Sequence, residues 1–273
     1  MGIVEWATSP WGQDVPIHAL WYLIWVSAIG GLCFLVVHAV WARYFAKEEV
    51  FADSTAPVAA AKLPERVARH SLAARLFHWI MAVSMFALLI TAFLPKVGVK
   101  FAWVTYHWIA GIVLIASIIF HIIHASFFMD PWSIWPDKED IEDAGRRVRR
   151  FLGQSAPPPR RFAKYPLENK MYHGAIVVTG LSVAITGFFM LFRVQTPFFT
   201  RNPYLFGDMT WGLMYVLHGL AGISLIALIT IHVYFAVRPE KLVITKSMIF
   251  GDMSRDHYLE HHDPARWVPE SSE

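Results

Sequence analysis

The run from Trp211 to Val237, WGLMYVLHGLAGISLIALITIHVYFAV, is apolar over a length that crosses a bilayer core at about 1.5 Å of helix rise per residue, yet it contains two histidines. His218 and His232 are 14 residues apart. On a helix that is a rise of about 21 Å and a rotation of roughly 1,400°, about 40° short of four full turns. Both imidazoles therefore lie on one face at two depths. Ligating side chains are costly in hydrocarbon and mark function there, so a single helix of this kind offers one axial ligand to each of two stacked haems.

Four more apolar runs precede it, at Ile17 to Ala42, Leu76 to Leu94, Trp103 to Phe128 and Met171 to Phe192, and each is long enough to span. With 56% hydrophobic and 16% charged residues over 273 positions and a mean hydropathy of +0.42, the chain reads as an all-α integral membrane protein of five spans. No stretch of ordinary composition remains for a soluble catalytic domain. The one cysteine, Cys33, lies in the first run. Disulfide frameworks, CxxC zinc or iron–sulfur sites and covalent c-type haem are thereby excluded. Histidine, with 13 copies, is left as the ligand.

The Lys and Arg residues set the orientation. The loop after span one carries Arg43, Lys47, Lys62, Arg66, Arg69 and Arg75, the loop after span three carries Arg146, Arg147, Arg149, Arg150, Arg160, Arg161, Lys164 and Lys170, and the tail carries Arg238, Lys241, Lys246, Arg255 and Arg266. The opposite loops hold only Lys96, Lys100, Arg193 and Arg201. The positive-inside rule makes the first set cytoplasmic. In a bacterial inner membrane the N-terminus is then periplasmic and the C-terminus cytoplasmic. Met1 to Pro16 contains no Lys or Arg, unlike the n-region of a signal peptide, so the first run is read as a retained helix. The net charge of +3 follows from this topology. It calls for lipid headgroups and not for nucleic acid as the partner.

Depth now pairs the histidines. His78 stands at the cytoplasmic start of span two and His107 near the external start of span three, while His218 lies toward the external end of span five and His232 toward its cytoplasmic end. His78 pairs with His232, and His107 with His218. Gly111 and Gly222 clear space one turn from His107 and His218, Gly219 follows His218 directly, and Gly180 and Gly187 in span four could do the same. Two imidazoles per layer without a convergent Asp, Glu or Cys suit zinc poorly. His18, His38, His121, His124 and His173 are read as packing or interfacial residues, with His173 close to where a quinone needs a polar group. His257, His261 and His262 are read as part of a solvated polar tail. The Ala52 to Leu63 stretch and Pro157 to Pro159 read as linkers, and no strand alternation is apparent.

From about Leu72 to Trp267 the chain resembles the cytochrome b (gamma) subunit of membrane-bound formate dehydrogenases and related molybdenum or tungsten oxidoreductases. The resemblance is carried by Arg75-Leu76-Phe77-His78-Trp79, His107-Trp108-Ile109-Ala110-Gly111, Pro136-Asp137-Lys138, Lys164-Tyr165, Asn169-Lys170-Met171, Leu217-His218-Gly219-Leu220-Ala221-Gly222, Ile231-His232-Val233-Tyr234 and His261-His262 with Trp267. It implies a four-helix bundle with two haem b, ligated by His78, His107, His218 and His232, here with one added N-terminal helix. The expected organisation is an external segment and extra helix at 1–45, a linker at 46–71, the dihaem domain at 72–238 and a tail at 239–273. The resemblance also implies an iron–sulfur subunit and a molybdenum or tungsten catalytic subunit on the periplasmic side. Menaquinone or ubiquinone would then be reduced near the cytoplasmic side. In the family an Asn after the Tyr before helix four helps hold quinone; here that position is Pro166, and Asn169 or His173 is expected to substitute. A thiosulfate or polysulfide reductase would need the same electron path. A histidine-containing transporter is the less favoured alternative, because no Asp or Glu falls within the spans. A structural anchor would leave the paired histidines unexplained.

Overall fold

The computed structural model describes residues 2–46, 49–52 and 63–269. The order of elements is β1 (Val4–Thr8), β2 (Asp14–Ala19), α1 (Tyr22–Tyr44), β3 (Arg66–Ala68), α2 (Leu72–Phe93), α3 (Trp103–Phe128), α4 (Lys138–Phe151), α5 (Leu167–Leu191), α6 (Asp208–Val237), α7 (Leu242–Phe250), β4 (Asp252–Ser254) and α8 (Arg255–His261), with short 3₁₀ turns after α2, α3 and α6. Five helices, α1, α2, α3, α5 and α6, are long and apolar enough to cross a membrane. A helix satisfies its own backbone polar groups, which lipid cannot do. The protein is an all-α, multi-pass membrane protein. The expected linker at 52–63 falls almost wholly outside the described residues.

The chain divides into two compact units. The first comprises Met1–Ala39, Phe77–His121 and Ile176–Val233. Its core is Met85 of α2, Leu114 of α3, Val183 of α5 and Ala221 and Leu225 of α6, so four helices share one apolar centre. α1 lies outside that centre and packs on α6. Ser27 Oγ donates to the Ile223 carbonyl at 2.6 Å, and Gly31 abuts Ala227 and Thr230. The sequence begins α1 too early. Residues 14–19 instead form β2, paired antiparallel with β1, around a turn in which Gly12 adopts φ +76°, a conformation that disfavours a side chain. His18 consequently sits on a strand and not in a helix, with Nε2 3.3 Å from Glu5. The hairpin is held to α6 at Gly212, where an added Cβ would strike the Pro16 carbonyl.

The second unit comprises Val40–Leu76, Ile122–Ala175 and Tyr234–Glu273. Here the Arg-rich loop is a helix. α4 opens with a capping box, Asp137 accepting from the Asp140 N–H and Asp140 from the Asp137 N–H, with Glu139 and Asp140 in its first turn and Arg149 and Arg150 in its last, as the helix dipole favours. Pro159 is fully buried, and its carbonyl accepts from the Ala52 N–H at 2.9 Å. The proline run is thus packed at Pro159, while Pro157 stays exposed.

The tail also departs from the solvated reading. β4 pairs with β3, and Val67, Met253, Tyr258 and Trp267 form a core. Between α7 and β4, Gly251 at φ +99° lets its own carbonyl accept from the Arg69 and His70 N–H groups. His262 is 3% exposed. Its Nδ1–H donates to the Ala163 carbonyl at 2.7 Å and its Nε2 accepts from Arg69 at 3.2 Å, an arrangement that requires a neutral ring. Polar residues in a terminal stretch look solvated by composition, but these fold back onto residues nearly two hundred positions earlier.

Burial, then the Arg69 charge, push the His262 pKa down to about 3. An unfolded histidine titrates near 6.5. As pH falls below about 6.5 the unfolded chain takes up a proton that the folded site refuses, so the stabilisation is complete above that pH and is lost progressively toward 3, on the order of a few kcal/mol. His257, pushed by burial to about 4, titrates in the same sense. Amide-exchange protection factors across residues 252–267, corrected for the intrinsic pH dependence of exchange, are therefore expected to fall between pH 7 and 5, and His262→Gln to flatten that slope. A slope unchanged by the substitution would show that His262 is not its source.

Candidate functional site

All four sequence-selected histidines of the spans fall in the first unit, and they meet in the two expected pairs. The rings of His107 and His218 have centroids 6.2 Å apart, and those of His78 and His232 are 6.3 Å apart. A metal held by two opposed imidazoles at about 2.0–2.1 Å, each ring adding about 1.1 Å from nitrogen to centroid, asks for about 6.3 Å. Both pairs fit a six-coordinate haem iron between them, which is the ligation that two imidazoles supply.

The His107–His218 pair is oriented by residues that the sequence reading missed. Thr91 of α2 donates its hydroxyl proton to the Ala87 carbonyl at 2.7 Å, so its oxygen accepts from Nδ1–H of His107 at 2.8 Å. Thr186 of α5 likewise donates to the Ser182 carbonyl at 2.5 Å and accepts from Nδ1–H of His218 at 2.9 Å. With the proton committed to Nδ1, each ring keeps its Nε2 lone pair for a metal. This cluster thus draws one residue from each of the four central helices. Gly187 completes it: a Cβ there would lie 3.1 Å from His218 Cε1, so a side chain would displace the ring. In the His78–His232 pair, Trp79 stands edge-on to His78 at 5.4 Å.

Such threonine supports typically change metal affinity 10- to 100-fold. Thr91→Val and Thr186→Val should each weaken haem retention by about that factor while the helices remain folded, and serine at either position should restore it. Haem titration of the solubilised protein measures this directly. Retention as tight as wild type in both valine variants would mean that the hydroxyls do not orient the rings.

The family comparison agrees with this chemistry. Residues 69–251 match the profile of the prokaryotic cytochrome b561 family. The chain belongs to that family. No curated protein matches it. The prokaryotic cytochrome b561 match starts just before α2 and ends after α7, so the β1–β2 hairpin and α1 precede the shared region. This cytochrome is a membrane protein of the b type, a haem b carrier of electrons.

The remaining histidines are placed as follows. His121 stacks on Phe77 at 4.2 Å, His38 on Phe34 at 5.7 Å and His124 on Phe128 at 5.7 Å. In the second unit, Asn169 and His173 lie one turn apart near the start of α5, on one helix face. The Asn169 N–H donates to the Pro166 carbonyl at 3.0 Å, and His173 meets Trp135 edge-on at 6.1 Å.

Proposed function

We propose that this cytochrome is the dihaem membrane subunit of a respiratory oxidoreductase, conducting electrons from a periplasmic iron–sulfur partner to membrane quinone. The observation that carries the reading is the pair of imidazole couples, at 6.2 and 6.3 Å, both using α6 at positions 14 residues apart. His107 and His218 hold the outer haem b, and His78 and His232 the inner one. When bound, each haem supplies a one-electron carrier. The protein's own task is to fix the iron axes, to exclude water with an apolar core and to keep two carriers at two depths. The Lys and Arg bias supports a cytoplasmic C-terminus, which puts quinone reduction and proton uptake on that side. The likeness of its motifs to formate dehydrogenase gamma subunits favours a molybdenum or tungsten enzyme of that kind as the electron source.

For quinone, menaquinone or ubiquinone, we assign Asn169 and His173 as polar partners in place of the amide that Pro166 cannot offer. Removing one hydrogen-bond partner from a mostly apolar pocket should cost about 0.5 to 3 kcal/mol of binding. Haems reduced by a donor should therefore be reoxidised by quinone more slowly in Asn169→Leu and His173→Phe, at full haem content. Normal reoxidation in both variants would remove the quinone site from this helix start. Subunits that co-purify with the native protein would test the partner.

A further inference from the structure

The haem chemistry leaves a second group of ligating side chains unused. His257, Glu260 and His261 project from α8 with their ligand atoms all within 4.8 Å of one another. We propose that these three residues bind a divalent late transition metal, with zinc as the natural probe, at a site separate from both haem positions.

The spacing i, i+3 and i+4 places all three on one face of a helical turn. Two imidazoles and one carboxylate form the donor set of an open zinc site, with the fourth position left to water or another ligand. A tetrahedral ion at about 2.0–2.1 Å asks for about 3.3 Å between donors, so rotamer adjustments of up to about 1.5 Å close the set. The tautomer is already arranged. Nδ1–H of His261 donates to the His257 carbonyl at 3.2 Å, the hydrogen bond that leaves Nε2 free to ligate. The His257 and His261 rings stack at 4.3 Å, so the pair is gathered on one side of the turn.

That turn is anchored, which separates it from a chance cluster on a mobile tail. Ser254 caps it by accepting from the His257 N–H, the Glu260 carbonyl accepts from Arg161 at 3.2 Å, and Tyr258 between the ligands is wholly buried. Beside it lies a cavity of about 420 Å³ lined in part by Glu260, His261, Glu49 and Glu168, which gives the open position access to water and to further carboxylates. Lys241 and Arg161 share that lining and oppose a cation, so binding depends on both imidazoles.

The haem-loaded, chelator-washed full chain, free of any histidine tag, would be dialysed against micromolar zinc and its metal counted per haem. We expect one zinc per chain in the wild-type protein. Zinc affinity should fall about tenfold or more in His257→Ala and in His261→Ala, and less in Glu260→Gln. X-ray absorption at the zinc edge should report two imidazole nitrogens. Wild-type amide-exchange protection of residues 252–267 in each variant shows that the fold around α8 survives, and Glu260→Gln, which preserves size, serves if an alanine variant does not fold. Absence of zinc from the wild-type protein, or full zinc binding by the double variant His257→Ala/His261→Ala, would overturn the site.

Discussion

His107→Ala and His218→Ala should each abolish the same half of the b-type absorbance, and His78→Ala and His232→Ala the other half. The reason is geometric: each pair presents two rings at the separation one iron requires, and a six-coordinate haem that loses one imidazole loses most of its specific anchorage. The Nδ1–H groups of His107 and His218 each meet a threonine oxygen, a contact that tunes ligand basicity and with it the potential of the haem this pair would hold. Redox-poised spectra of the four variants would therefore sort into two classes. Grouping of His78 with His218 would refute the pairing, and loss of both haems in every variant would mean that the two positions are not independent.

Lys170→Met should lower the stability of the second unit by about 3–5 kcal/mol. The Lys170 side chain is 2% exposed and Asp140 6% exposed, with Nζ and Oδ2 2.6 Å apart. Asp140 also closes the cap of α4 and lies 3.3 Å from Arg266, so removing Lys170 leaves a buried carboxylate with one cation and a backbone N–H. Breaking a buried pair from one side costs more than the pair contributes net, because the remaining charge keeps its desolvation penalty. The Lys170→Met/Asp140→Leu double variant should recover part of the loss. Thermal unfolding of the two variants decides this, and a single variant as stable as wild type would show that Arg266 compensates alone.

The five spans and the histidine pairing were legible because both are one-dimensional. Apolar length marks a span, and a separation of 14 residues marks a shared helix face. Thr91 and Thr186 were not legible, since each meets its histidine across helices, 16 and 32 residues away, and a lone threonine in an apolar run carries no period. The β1–β2 hairpin was hidden by the apolar residues at its end, Ile17 and Ala19, which extend the hydrophobic run before α1. The tail was misread for a different reason. Trp267 and His262 are buried by residues such as Val67 and Arg69, and composition near a terminus carries no trace of contacts made so far back in the chain.

The pairing of β3 with β4 matters for the order in which the chain can fold. Arg66 pairs with Ser254 and Ala68 with Asp252, so this ladder closes a loop containing α2 to α7. A growing chain cannot form it until the last membrane helix has left the ribosome and residue 254 has been made. Local helices form in microseconds, whereas closure over such a span waits on everything between. Until then Val67, fully buried once the ladder forms, has no cover. A chain truncated before residue 252 therefore leaves Val67 and the β3 backbone without the partner that covers them, and the full chain supplies it.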